Sequence, residues 1–438
     1  MTKVGLAFHR TFHSVSHSRN FRLFFVGQAV SVTGTWMQSM ALAWLVLRLT
    51  DSGVALGVQM ALNFGPVLFL GAHGGLLADR HDKRKILIST QAAFAVLALA
   101  LWALVAFDVV NVWHVYGLSL LQGIVTAADM PARQSFYAEM VGEDDLTNAV
   151  SLNSAIITGT RIVGPALAAA LIATIGVASC FLLNAVSYLA LIGGLMAMRP
   201  EEFHGTGQVD LGKGQVREGL RYVWRTPGLR LPLVWMAIIF TFSFNFSILL
   251  LLLAERTFHG DAGTYGMMLA VMGLGSMLGA LAVARQQCPN PRRVAAAATG
   301  FGLISVGAAA APTLGWVVAA LVPVGAISMV FMITGNSTLQ LTSRPEMRGR
   351  VMALYGIAFL GVAPVGGPLA GWLADRFGTR LSIGFGGFVA ALTGLVGLWT
   401  LARRRREVAR EPLPGPSDTA VGVPVGASAS NGTDQLRA

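Results

Sequence analysis

The sequence predicts an all-α membrane protein, with about twelve transmembrane helices arranged as two related halves. Three observations carry that prediction. Hydrophobic residues make up 54% of the 438 and charged residues 12%, with a mean hydropathy of +0.63. A soluble domain carries about 25% charge, so half of that leaves too little polar surface for water and suits a chain solvated by lipid. Apolar runs recur from end to end, and at roughly 20 residues per span the length accommodates about twelve. Lastly, the basic residues fall in the gaps between those runs.

Taken in order, residues 1–21 form a polar N-terminal segment containing Arg10 and Arg19. The apolar run that follows is too long for the core of a cleavable leader, so the first helix reads as an uncleaved insertion signal. Spans are predicted near 22–47, 54–77, 86–107, 112–132, 147–173 and 177–198, which together make the first bundle, 22–198. Residues 199–231 are the longest internal gap, a linker in which Val216, Leu220 and Val223 share one helical face and Arg217, Arg221 and Arg225 another. Such a helix lies on an anionic leaflet or tethers two bundles, and the two readings are compatible. The second bundle, 232–402, holds spans near 232–255, 264–284, 294–311, 315–338, 350–374 and 380–402. Residues 403–438 open with the basic run Arg403 to Arg406 and pass into a Pro-, Gly-, Ala- and Ser-rich tail predicted to be disordered. No ten-residue alternation suggestive of a β-barrel occurs.

An even number of spans puts both termini on one side. That side carries 27 Lys and Arg; the opposite loops hold four (Arg48, Arg256, Arg376 and Arg380), and Arg161 falls inside a span. The positive-inside rule therefore predicts cytoplasmic termini, and the expected location is a cell membrane, either a plasma membrane or the inner membrane of a bacterium. The formal net charge of +11 reflects this orientation, because the bases form no aromatic-interleaved patch for nucleic acid. Cys180 and Cys288 offer no disulfide framework, and the eight histidines no metal spacing. A phosphate loop and a nucleophile elbow are also missing, so neither a cofactor nor direct ATP drive is expected.

Self-similarity supports duplication. Gly164-Pro165 recurs as Gly367-Pro368 at an offset of 203, and Gly75-Leu76-Leu77-Ala78 as Gly279-Ala280-Leu281-Ala282 at 204.

The stretch Gly75-Leu76-Leu77-Ala78-Asp79-Arg80-His81-Asp82-Lys83-Arg84-Lys85 resembles the loop signature G-x-L-A-D-R-x-G-R-K of the major facilitator superfamily, with Asp82 in place of the usual Gly. Thr160-Arg161-Ile162-Val163-Gly164-Pro165-Ala166-Leu167-Ala168-Ala169 is similar to that superfamily's antiporter signature, G-x-x-x-G-P-x-x-G-G, with small residues replacing some glycines. Asp129-Met130-Pro131-Ala132-Arg133, the stretch Asn148 to Asn153 and Glu218 to Val223 extend the likeness to the branch of enterobactin exporters and macrolide-efflux proteins, over about residues 20 to 402. The resemblance implies a fold of two pseudo-symmetric six-helix bundles around a central cavity, and a monomeric secondary transporter that exports small amphipathic compounds in exchange for protons. An uptake carrier of the same fold, a transport-dead sensor and a membrane-embedded lipid-modifying enzyme are the alternatives.

Arg161 is the leading candidate for substrate binding. A central Arg costs about 2.5–3.5 kcal/mol, so it should face a cavity or a partner; the alternative is a cation that braces the Gly-Pro bend. Asn153, eight residues earlier on the same face, with Gln38 and Asn245, are further candidates, although a polar residue inside a span equally serves as an interhelical hydrogen bond. Trp36 could supply an apolar wall. The resemblance implies that Asp79, Arg80, Lys83, Asp129 and Arg133, with Gly75, form a charge latch that closes the inner side; the plainer reading is an interfacial ion-pair cluster worth about 0–1 kcal/mol. Neutralising Asp79 or Asp129 is expected to lower transport with little change in the amount of protein in the membrane. Gly164-Pro165 and Gly367-Pro368 are expected to be packing bends.

Overall fold

The computed structural model describes residues 13–204, 215–284, 290–360 and 363–408, and among them every regular element is helical. Eleven helices are long and apolar enough to cross a membrane. The first bundle comprises α1 (Arg19–Thr50), α2 (Gly53–Arg80), α3 (Lys83–Ala106), α4 and α5, and α6 (Val177–Met196). Helices α4 and α5 are the limbs 112–141 and 143–174 of one helical stretch, Val112–Thr174, broken at Gly142. With φ at +71°, Gly142 adopts a conformation that a side chain would strain. Limb α4 is not among the eleven. It is long enough to span, but it carries Gln122, Asp129 and Arg133, and the reason for those polar residues lies in the site described below.

A linker helix, α7 (Gln215–Arg225), leads to α8 (Pro227–Thr257), α9 (Ala262–Ala284), α10 (Pro291–Ala310), α11 (Leu314–Thr342), α12 (Pro345–Phe377) and α13 (Thr379–Val408). Short polar loops set where each span starts. Ser18, Ser52, Asp82, Asn111, Asn290 and Thr313 each accept a hydrogen bond from a backbone N–H in the first turn of the helix that follows. Helix α8 is interrupted: its first part ends at Ser243, a second begins at Phe246, and a π turn closes it over Leu253–Thr257.

The linker helix does not present one clean apolar face. Val223 is fully buried, while Leu220 and Trp224 are exposed. Glu218 ion-pairs with Arg350 of α12 at 2.7 Å, and the Tyr222 hydroxyl accepts from the Arg344 backbone N–H at 3.2 Å. The helix is thus fastened to the second bundle. Cys180 is buried and free, whereas Cys288 and the Pro/Gly-rich tail lie outside the described residues.

The two bundles meet along two helix pairs, α2 with α12 and α5 with α9. Both contacts are built on glycine. A Cβ at Gly371 would lie 1.9 Å from the Gly53 carbonyl oxygen, and one at Gly57 would lie 2.4 Å from Pro368. On the other seam, a Cβ at Gly266 would sit 3.0 Å from the Pro165 carbonyl oxygen and 2.6 Å from Ala169. These positions cluster toward the end opposite the termini. Toward the terminal end the pairs part: Gly71 and Gly75 of α2, Gly159 of α5, and Gly349 and Gly356 of α12 meet no atom within 4 Å of a built Cβ. Phe69 in α2 is 74% exposed there. Among the described residues, the molecule is closed at one end and open at the other.

Candidate functional site

Arg161 lies on α5 one turn before the Gly164-Pro165 step. Gly164 lets α5 press against α1, where a Cβ would sit 2.5 Å from that of Trp36. This approach brings the Arg161 guanidinium over the Trp36 ring, 5.0 Å from its centroid. Proline has no N–H to return to the carbonyl four residues earlier, so Pro165 leaves the Arg161 carbonyl outside the helical ladder. Gly273 of α9 lies beside that carbonyl, where a Cβ would be 3.7 Å away. The side chain is half-buried, its Nε is fully shielded, and it makes no ion pair or hydrogen bond to any described residue. Arg161 is therefore a cation at the junction of α1, α5 and α9, met only by an aromatic face. Gly164 permits the approach to α1 that positions it, and no hydrogen bond from the guanidinium to a described helix carbonyl braces the step.

The other substrate-binding candidates are engaged within their own bundles. Asn153 accepts from the Gln28 amide at 2.5 Å, and Gln28 in turn accepts from the Tyr137 hydroxyl at 3.0 Å, so α5, α1 and α4 are tied. The Gln38 carbonyl accepts from Asn184 of α6 at 2.8 Å and its amide donates to Gln122 of α4 at 3.4 Å. Asn245 is buried at the interruption of α8, where its amide donates to the Thr241 carbonyl at 2.8 Å. All three occupy interhelical or local hydrogen bonds, and none adjoins Arg161.

Of the predicted latch residues, the structure brings together only one pair. Asp129 is buried and accepts four hydrogen bonds: from Thr90 at 2.6 Å and Gln91 at 2.9 Å on α3, and from Arg133 Nε at 2.9 Å and Nη2 at 3.0 Å. This bidentate pair explains the polarity of α4. It also revises the expectation that Asp129 could be neutralised at little cost, since Arg133 would be left buried without its counter-charge. Lys83 does not join that pair; it forms an ion pair with Glu139 near the end of α4. Arg84 caps α6 by donating to the carbonyls of Leu195 at 2.7 Å and Met196 at 3.0 Å. Asp79 and Arg80 are exposed at the open end, and Gly75 faces open space beside them. With this end open, the five charges do not form one network.

A second cluster, not anticipated from sequence, fastens the closed end. Asp375 of α12 accepts from the backbone N–H groups of Gly53 at 2.8 Å and Val54 at 3.1 Å and from the Ser52 hydroxyl at 3.1 Å. Its carboxylate thus sits on the N-terminus of α2, where exposed N–H groups and the helix dipole favour negative charge. Arg256 of α8 donates to Asp375 at 2.7 Å and to Asp51 at 3.3 Å, joining both bundles. Arg48 and Glu255 approach to 3.9 Å alongside. A sequence signal did exist: Gly371-Trp372-Leu373-Ala374-Asp375-Arg376 repeats the pattern of Gly75-Leu76-Leu77-Ala78-Asp79-Arg80 at the opposite end of the molecule.

The profile of a family described as a transmembrane secretion effector, within the major facilitator superfamily, matches residues 11–421. The chain belongs to that family. It is a multi-pass membrane transporter and not an enzyme. The multidrug efflux pump Tap of Mycolicibacterium fortuitum is 26% identical over 400 residues, covering 86% of this chain and 95% of that one. The staphyloferrin A transporter of Staphylococcus aureus is 24% identical over 271 residues, 59% of this chain and 66% of that protein, and macrolide efflux protein A of Streptococcus pyogenes is 29% identical over 177, 40% and 42%. Among solved structures, a peptide transporter, POT, superposes with a TM-score of 0.72 at 14% identity over 89% of this chain and 96% of that one. A bacterial homologue of the lysosomal transporter Spinster, solved facing inward, gives 0.68 at 13% over 88% and 95%. The transporter shares their fold.

Proposed function

We propose that this transporter is a proton-coupled exporter of small amphipathic compounds that present an anionic or polar group to Arg161. It acts as a monomer in a bacterial cell membrane with both termini in the cytoplasm, and residues 22–198 and 232–402 are its two moving bodies. The observation that carries this reading is Arg161 itself, a cation inside the membrane-spanning region that is met, among the described residues, only by the Trp36 ring. A desolvated cation of that kind attracts an anion far more strongly than one in water, and the aromatic face suits the apolar part of the same ligand. Relatives named for moving a siderophore, a macrolide and multiple drugs support the amphipathic class.

The two copies of the Gly-x-Leu-Ala-Asp-Arg pattern suggest how the halves alternate. At the closed end Asp375 rests on the start of α2. By the inverted equivalent, Asp79 rests on the start of α12 when the other end closes, with Arg80, Lys83 and the Asp129–Arg133 pair around it. The glycine-proline steps at 164–165 and 367–368 are the bends on which the seams rock.

Reconstitution into proteoliposomes tests the proposal, with a panel of siderophores, macrolides and cationic dyes and an imposed pH gradient. Movement of anionic amphiphiles out of the compartment facing the termini, abolished by a protonophore, is the expected result. Equal rates with and without the gradient would remove proton coupling, and movement in the reverse direction would make the protein an uptake carrier.

A further inference from the structure

Helices α9 and α10 diverge from one another, and α11 floors the space between them. The resulting cleft has a volume of ≈ 710 Å³. Gly279 lets α9 press onto α11 at Ala326, where a Cβ would lie 2.1 Å from the carbonyl oxygen; Ala282 and Ala296 leave the space between α9 and α10 unfilled, while Leu278, Ile304, Pro323 and Val330 give it apolar walls. Its polar groups are gathered at one end. Arg293 stands in the first turn of α10, and Thr334 and Ser337 lie toward the end of α11, all on the side of the termini. Neither the Thr334 nor the Ser337 hydroxyl hydrogen-bonds to a described residue, although hydroxyls inside spans ordinarily return to a helix carbonyl, as Thr338 does to Thr334 at 2.7 Å. From Arg293 to Ile304 the cleft follows α10 for about 16 Å at 1.5 Å per residue. That is roughly half of the 30 Å hydrocarbon thickness, the depth of one leaflet.

We propose that this cleft is a binding site for one anionic phospholipid of the terminal-side leaflet, separate from the Arg161 site. Its acyl chains lie along the apolar walls. Its phosphate is met by Arg293 at the level of the headgroups, and the Thr334 and Ser337 hydroxyls face the glycerol and ester oxygens. The charge and the depth fit together, since basic pockets between helices at that level select anionic headgroups. The first bundle offers an internal comparison. An equivalent cleft of ≈ 370 Å³ lies between α3 and α4, lined by Ala92, Ala93, Val96, Leu121, Ile124 and Val125 among others, and every lining residue is apolar. It can take a chain but has nothing with which to choose a headgroup.

The test is native mass spectrometry on the purified, delipidated full chain, titrated with phosphatidylglycerol or phosphatidylcholine. One phosphatidylglycerol should be retained about fivefold more tightly than phosphatidylcholine, the value expected of one basic residue at the surface. Arg293→Gln and Arg293→Glu should erase that preference. Ala296→Trp, which fills the cleft from its exposed rim, should remove the tight site for both lipids. Arg344→Glu, an exposed base at the same end but outside the cleft, should leave retention unchanged, and size-exclusion profiles establish that each variant is folded. Equal retention of the two lipids by the unaltered chain would overturn the proposal. So would equal losses in Arg293→Glu and Arg344→Glu, or undiminished retention in Ala296→Trp.

Discussion

Arg133 and Arg161 lie within successive limbs of the same helical stretch, and their surroundings differ in kind. Arg133 is answered by a carboxylate that four donors hold in place, whereas Arg161 is answered by an indole face. Removing one partner of a buried pair leaves an uncompensated charge and costs about 3–5 kcal/mol. Asp129→Asn should therefore lower the thermal midpoint of the purified protein and its yield in the membrane, as a thermal-shift assay would register. Unchanged stability would mean that Arg133 finds water. For Arg161, a cation–π contact worth about 2 kcal/mol falls short of the roughly 2.5–3.5 kcal/mol cost of a central Arg, and a bound anion would offset the remainder. Arg161→Ala should abolish binding of anionic ligands while sparing cationic dyes, and Arg161→Lys should keep part of it, because Lys retains the charge without the planar fork. Equilibrium binding normalised to folded protein measures both; equal losses for the two ligand charges would leave Arg161 a purely structural residue. Arg161 was legible in the sequence because a lone charge in an apolar run is costly. Asn153, Gln38 and Asn245 were not separable in the same way, since an amide serves an interhelical bond as readily as a ligand.

At the scale of helices, hydropathy located the eleven helices that are apolar enough to span, but not every end, and the α4 limb that was also expected to span is not among the eleven. Helix α4 was expected to stop near residue 132, yet it continues to 141, because Arg133, Gln134 and Ser135 are polar without ceasing to be helical. Likewise α13 runs on through its basic residues to Val408. Hydropathy reports where lipid lies, while helix ends follow from caps and from Gly142. Both Gly-Pro steps were expected to be packing bends, and the structure puts each on a seam between the bundles, Pro165 against Gly266 and Pro368 against Gly57. What sequence did not reveal was how tight those seams are. A Cβ at Gly371 would fall 1.9 Å from a carbonyl oxygen of α2, which no rotamer change can relieve. Gly371→Val should therefore hold α2 and α12 apart at the closed end, raising the rate at which membrane-impermeant thiol reagents label cysteines introduced along that seam. The same change should leave labelling at the terminal end no faster. Unaltered labelling at both ends would show that the backbone shifts to absorb the new side chain.

For the molecule as a whole, the comparison of repeats at offsets of 203 and 204 finds only parallel copies, so the inverted pair of Asp-Arg patterns at opposite ends escaped notice. Their geometry predicts opposite effects from the same chemical change. Asp375→Asn removes the charge that sits on the N-terminus of α2 and that Arg256 links to Asp51, so the closed end should loosen and the population should move toward the state open at that end. Asp79→Asn should do the reverse, because the open end loses the group that would secure it when closed, and the population should stay as the structure shows it. A charge at a helix N-terminus contributes up to about 2 kcal/mol in partly buried geometry, and 1.4 kcal/mol already changes a two-state ratio about tenfold. Spin labels at Ile175 and Phe377 report the closed end, and labels at His81 and Arg344 the open one; all four positions are exposed. In Asp375→Asn the first distance should lengthen and the second shorten, with transport reduced because one state is disfavoured. In Asp79→Asn both distances should remain those of the unaltered protein even in the presence of substrate. The Asp375→Asn, Asp79→Asn double variant should restore intermediate distances without restoring transport, since neither end is then held. Distances in Asp375→Asn that match the unaltered protein at both ends would show that the Asp51–Arg256–Asp375 cluster is an ion-pair ornament of a seam that glycine packing alone keeps closed.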